Sequence, residues 1–397
     1  MNCFKKFTSV MMLTALFVSS QVVHAEPSNL DSNPFNITPE MDHEIKAGLR
    51  ELYSLEFDKA LQIFEPLQGQ AEKHPMVAFG LASVHWWRLS VFVLENDEKE
   101  SKTFLETANK CVELSKKIIK EGDQTGEAHL TLGSVYGLLG RWEATNRNWF
   151  TAYLRGKAAR KNLSRAIEIN PQMVDAYMGL GIFDYYVATL PKVLRILTFL
   201  KSENPQVGLN ELKIASEKGV YTRIAARFFL AGILSGMEKK PQEALHVLQD
   251  LRTEFPMSPF VQIVILTTLY NTTDIGAFQK EAQGFLDKIE SKNISSFFKC
   301  HAHFFKGMSY FKQKKWSDAE GEFKQAIVNG NEYIPFYTWS HLYQGYSLDA
   351  QGKRAEALVL YKKVKGFRRR WRSQEFADDR IKKPFQSTDP EMDTLLL

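Results

Sequence analysis

Cysteine is nearly absent: Cys3, Cys111 and Cys300 are the only three in 397 residues. Cys3 falls in a stretch read below as removed, and two widely separated cysteines make no disulfide framework. Their simplest role is that of small buried apolar residues. Motifs of catalysis are missing as well. There is no glycine-rich phosphate loop, no nucleophile elbow, no HExxH helix and no paired CxxC. The sequence therefore offers no catalytic residue, no cofactor site and no metal site. Alternating strand patterns are missing too, so the chain reads as all-α. Charge of neither sign dominates. The formal net charge is +5, about +3 once Lys5 and Lys6 are removed, too little to predict nucleic-acid binding.

What is present begins at the first residue. MNCFKKFTSVMMLTALFVSSQVVHA has a basic start, an apolar run and small residues at Val23 and Ala25 before Glu26. That is the pattern of a cleaved secretory signal over 1–25. The apolar run is shorter than the roughly 20 residues a spanning helix needs. The expectation is an exported chain, periplasmic or secreted after cleavage near Ala25. Residues 26–39, rich in Pro, Ser, Asn and Asp, read as a flexible leader.

Helical periodicity then runs on, and it repeats. HFFKGMSYFKQKKWSDAEGEFKQAI places Gly307 and Tyr310 on one helix and Ala319, Phe323 and Ala326 on the next. Gly345, Leu348, Ala357, Tyr361 and Val364 repeat the pattern, as do Phe228, Gly232, Ala244, Leu248 and Leu251, and Gly48, Ala60, Phe64 and Leu67. These units resemble the tetratricopeptide repeat (TPR), in which a small residue lets paired helices approach. The resemblance implies a right-handed superhelical solenoid of about eight helix hairpins over 40–375, followed by a poorly ordered tail over 376–397. It also implies protein–protein interaction as the working mode.

The small residue of each unit serves as a ruler: Gly48, Gly80, Gly133, Gly181, Gly232, Val264, Gly307 and Gly345. The three steps between Gly80 and Gly232 are far longer than the family period of about 34 residues. The expectation is three enlarged central hairpins, each with both helices lengthened by about two turns, their extensions aligned as a ridge.

Within this region Arg141, Arg147, Arg155, Lys157, Arg160, Lys161 and Arg165 face a single acid, Glu143, with Trp142, Trp149 and Tyr153 interleaved. The functional reading is an electropositive, aromatic-lined surface. The competing reading puts the aromatics in the core and the charges in solvent. First helices would line the inner surface of a solenoid, which adds Trp86, Tyr185 and Tyr186 to the candidates for contact. The partner-binding set is therefore Trp86, Arg141, Trp142, Arg147, Trp149, Arg155, Tyr185 and Tyr186.

Pro191 should end the helix before it, and the apolar run from Val193 to Leu200 suits either membrane-surface contact or packing between hairpins. Cys300, His301 and His303 resemble a metal cluster only on paper. On a helix Cys300 and His303 share a face and His301 points elsewhere, leaving two ligands. Arg368, Arg369, Arg370 and Arg372 around Trp371 read as the polar face of a terminal cap.

FDYYVATLPKVLRILTFL followed by NPQVGLNELKIASEKG is similar to the eukaryotic inclusion-body-clearance TPR proteins and to exported bacterial TPR proteins, over about residues 128 to 260. That resemblance implies a non-enzymatic role, although the secretory signal sets this chain apart from the eukaryotic group. The reading is a non-enzymatic exported TPR scaffold or adaptor with a protein or peptide partner. The alternative is a binding protein for a glycan, lipid or other small ligand held between the enlarged hairpins by Trp142, Trp149, Tyr186 and Leu194.

Overall fold

The computed structural model describes residues 35, 37–70, 74–92, 97–190, 204–291, 297–367 and 372–389. The signal, most of the leader, the Val193 to Leu200 run and the Arg368–Trp371 cluster lie outside these. Among the described residues the chain is all-helical. Eight hairpins follow one another: α1 (Pro39–Tyr53) with α2 (Phe57–Gln70), α3 (Pro75–Phe92) with α4 (Glu98–Gly122), α5 (Glu127–Thr145) with α6 (Trp149–Ile169), and α7 (Ala176–Thr189) with α8 (Pro205–Lys218). Then come α9 (Arg223–Gly236) with α10 (Pro241–Glu254), α11 (Pro259–Tyr270) with α12 (Ile275–Ser291), α13 (Phe297–Lys312) with α14 (Trp316–Val328), and α15 (Pro335–Ala350) with α16 (Arg354–Gly366). A final helix, α17 (Ser373–Lys382), closes the order.

Local chemistry starts these helices. The Thr38 hydroxyl accepts from the Met41 amide at 3.2 Å with Pro39 in the first turn, and Asp97 and Asn204 cap α4 and α8 in the same way. Each cap satisfies an amide that has no partner within the helix. The two helices of a hairpin differ in patterning. In α4, burial falls on Phe104, Ala108, Cys111, Val112 and Ser115, one stripe at helical spacing, whereas α3 is buried from Pro75 to Leu89 on nearly every side. A helix apolar all round belongs inside and a striped one against it.

The chain forms two compact units that divide within α9, after Leu230. In the first, the small residues act as notches. A Cβ on Gly48 or Gly80 would meet the Phe64 ring at 2.6 or 2.5 Å, so one ring from α2 locks α1 and α3 together. Leu163 of α6 likewise sits between Gly133 of α5 and Gly179 of α7.

This unit also closes on itself. The Tyr221 hydroxyl, just before α9, donates to Asp42 of α1 at 2.6 Å, and Phe35 packs edge-on against the same ring at 4.7 Å. Tyr53 of α1 touches both Trp87 of α3 and Phe228 of α9. Asp175, at the start of α7, is buried and accepts from the backbone amides of Val220, Tyr221 and Thr222 at 3.0, 2.8 and 2.7 Å. First helices α1, α3 and α9 therefore meet through their aromatic side chains.

Two expectations need correction. The second and third hairpins do carry long helices, of 18 and 25 and of 19 and 21 residues, but α7 and α8 have only 14 each. The remaining residues of the fourth hairpin, 191–203, lie outside the described residues, and Pro205 opens α8. Gly232 is exposed, and a Cβ there would meet nothing within 4 Å. It is no notch.

The second unit keeps the regular pattern. Phe323 fills the notch at Gly307 and Tyr361 that at Gly345. Phe304, Phe305 and Tyr343 form the aromatic core. The stretch expected as a poorly ordered tail from residue 376 is instead helical to Lys382, and Phe385 is buried with its ring stacked on Tyr346 at 4.7 Å. Buried Asp349 explains why, since it accepts from the Phe385 amide at 2.8 Å, from the Tyr361 hydroxyl at 2.8 Å and from Arg354 at 3.0 Å. Cys111 and Cys300 are free and buried, and burial pushes both thiols up, Cys111 to about 12.

Candidate functional site

The residues singled out in the sequence separate into two places, both in the first unit. Trp86, Arg141, Tyr185 and Tyr186 go to the interior. The Arg141 guanidinium lies 5.1 Å from the Trp86 ring and 5.3 Å from Phe229. Tyr186 packs edge-on against Tyr185, and burial pushes its phenol up to about 12 although the neighbouring Arg141 charge opposes the shift. Trp86, Tyr185 and Tyr186 are buried, so the expectation that they line an open inner surface is corrected. The physical reason is closure: with α1 meeting α9, first helices face one another instead of solvent.

Trp142 is half-buried with its ring 5.7 Å from Phe104, and Phe104 also meets Trp86. Trp142, Trp149 and Tyr186 thus have three different surroundings, which leaves the small-ligand reading without the shared wall it needs.

Arg147 and Trp149 go to the turn between α5 and α6, and Arg155 to the second turn of α6. Arg147 holds the left-handed conformation, with φ 63°, and is exposed. Behind it α6 presents Trp149 at 40%, Phe150 at 74% and Leu154 at 46% exposure. Tyr153 stacks on Phe150 and packs inward on Phe183 and Val187 of α7, which fixes the base of this tip. Arg155 lies 5.3 Å from the Tyr136 ring.

The basic run therefore has several fates. Arg160 is buried and grips Asp184 with two hydrogen bonds of 2.8 and 2.9 Å, Arg165 pairs with Glu168 at 2.9 Å, and Lys157 and Lys161 are exposed. The sequence reading missed Phe150, Leu154 and Phe229. Phe150 and Leu154 flank Trp149 and Tyr153 at helical spacing, a legible signal. Phe229 carried none.

Elsewhere, Cys300, His301 and His303 do not converge. His301 is wedged among Phe297, Phe298 and Phe336, where burial lowers it to about 4, while His303 pairs with Glu322 at 2.8 Å. Among the described residues no three His, Cys, Asp or Glu are placed to hold a metal ion, and no helix is long and apolar enough to cross a membrane.

Paired helices, glycine notches filled by an aromatic, and eight hairpins in order define a TPR-like helical-repeat protein. No family model and no curated protein matches the chain. Among solved structures it is similar to a Rap protein complexed with competence and sporulation factor, at 15% identity and a TM-score of 0.44, over 86% of this chain and 97% of that one.

Proposed function

We propose that the chain is a non-enzymatic, exported helical-repeat scaffold that engages a protein or peptide through the tip of its third hairpin. One observation carries the reading. Trp149, Phe150 and Leu154 stand exposed together at the start of α6, beside exposed Arg147 and Lys157. Exposed aromatic clusters bordered by arginine are where interfaces concentrate their binding energy. Tyr153 anchors the tip to α7, so the cluster is held ready and little ordering accompanies binding.

The test is a photo-crosslinking residue in place of Phe150, with the same residue in place of exposed Val359 as control. A discrete adduct from position 150 that disappears on Trp149→Ser supports the tip. Identical adducts from both positions, or none, sink it. Export rests on the amino-terminal pattern. N-terminal sequencing of the mature protein should begin at Glu26, and an intact Met1 on the bulk of the chain would refute cleavage.

A further inference from the structure

Among the described residues Arg141 has no counterion, and it is partly buried. Its Nε is closed off from solvent and makes no hydrogen bond, although the residue as a whole keeps some exposure. Four helices supply its surroundings: Trp86 from α3, Arg141 itself from α5, Tyr186 from α7 and Phe229 from α9. Those helices hold only three acids. Glu127 lies 3.1 Å from the His74 ring, Glu143 accepts from Asn148 at 2.8 Å, and Asp184 is taken by Arg160. Helices α3 and α9 contain no acid at all. Burying an unpaired guanidinium costs several kcal/mol unless something compensates, and two aromatic faces supply only part of that.

We infer that Arg141 anchors an interior binding site for a carboxylate carried on an apolar body. The Trp86 and Phe229 rings cover the guanidinium, leaving its N–H edge as the directional feature. That fork matches two carboxylate oxygens. The Tyr186 phenol stays protonated through the physiological range and offers a second donor nearby. A carboxylate, with one negative charge, balances one guanidinium. A phosphate monoester brings roughly 1.5 to 2 charges and would leave an excess in an apolar site. The partly exposed Trp87 and Phe229 are the walls against which the apolar body would lie. This site stands apart from the hairpin tip and does not depend on it.

Three probes separate the sources of a carboxylate: the peptide N-acetyl-Ala-Ala-Phe with a free C-terminus, the same peptide amidated, and decanoate. Calorimetric titration should show binding of the free peptide, of decanoate or of both, and none of the amide. Which acid binds tells a peptide terminus from a fatty acid. Arg141→Met should abolish binding while leaving the thermal midpoint of the free protein unchanged or raised, because it removes an uncompensated charge. Arg141→Lys, which keeps the charge and loses the fork, should weaken binding by about tenfold or more and serves if the Met variant fails to fold. Trp149→Ser leaves this binding intact, so failure at the tip and failure here are told apart. The inference falls if no acid binds, if the amide binds equally, or if Arg141→Lys binds undiminished.

Discussion

Asp175 is one carboxylate holding a whole turn in place. Its oxygens accept from three successive amides, Val220 to Thr222, and from the Thr222 hydroxyl at 2.9 Å, while the residue is 2% exposed. Replacing it with alanine strands those donors in an interior without water. Asp175→Ala should therefore cost about 3 to 5 kcal/mol, and Asp175→Asn, which keeps one acceptor, roughly half as much. Urea unfolding of both variants checks this; a loss no larger than that of an exposed control would contradict it.

Histidine gives the second unit a pH dependence with a definite sign. Burial lowers His301 and His341 to about 4 in the folded chain, each with Nδ1 directed at a backbone carbonyl four residues back. In the unfolded chain they titrate near 6.5, so between about 4 and 6.5 the unfolded state binds more protons. Stability is then complete above about 6.5 and falls as pH drops toward 4, by on the order of 3 kcal/mol per histidine at most. Glu322, lowered by its bonds to His303 and Lys306 against the opposing effect of burial, adds its loss only below the ordinary carboxylate range. Chemical denaturation of wild type and of His301→Leu with His341→Leu, at neutral pH and near pH 4.5, should show the slope in the first and little in the second.

At the level of helices, glycines separate what the sequence revealed from what it concealed. Gly48, Gly80, Gly133, Gly307 and Gly345 were legible because each has a bulky residue from a neighbouring helix filling the space its missing Cβ leaves. Gly232 has the same spacing and no such neighbour, and spacing alone cannot tell the two apart. Substitution can. Gly80→Ala forces a Cβ to 2.5 Å from the Phe64 ring and should destabilise by about 1 to 3 kcal/mol. Gly232→Ala, exposed within α9, should stabilise by roughly 0.5 to 1 kcal/mol through the lost freedom of the unfolded chain. Equal effects in thermal unfolding would show the notch register to be wrong. Step length has the same weakness as a ruler: it counts residues without saying where they go, and a long step gives a 25-residue helix in α4 but only 14 residues each in α7 and α8. The hairpin tip was half legible, since Trp149 and Arg147 stood out, but whether α6 turned them inward depended on α7, where Phe183 and Val187 take Tyr153 instead.

Closure of the first unit was not legible at all, because a repeat pattern reports only what each hairpin does with its neighbour. In a linear array, stability is a sum of units and nearest-neighbour contacts, and residues at the two ends of several repeats should be energetically independent. Here Asp42 and Tyr221 are 179 positions apart and share a 2.6 Å hydrogen bond, with Phe35 and Lys46 against the same ring. The same closure buries Trp86 and Tyr185 and leaves Arg141 among rings instead of in water. A double-mutant cycle measures it directly. Asp42→Ala and Tyr221→Phe should each destabilise, and their combination should fall short of additivity by about 1 to 2 kcal/mol. Asp42→Ala combined with Arg165→Ala, whose side chain pairs within α6 with Glu168, should be additive within about 0.5 kcal/mol. Additivity in the first cycle would mean that the two ends of the unit do not meet in solution, and the interior environment argued for Arg141 would go with it.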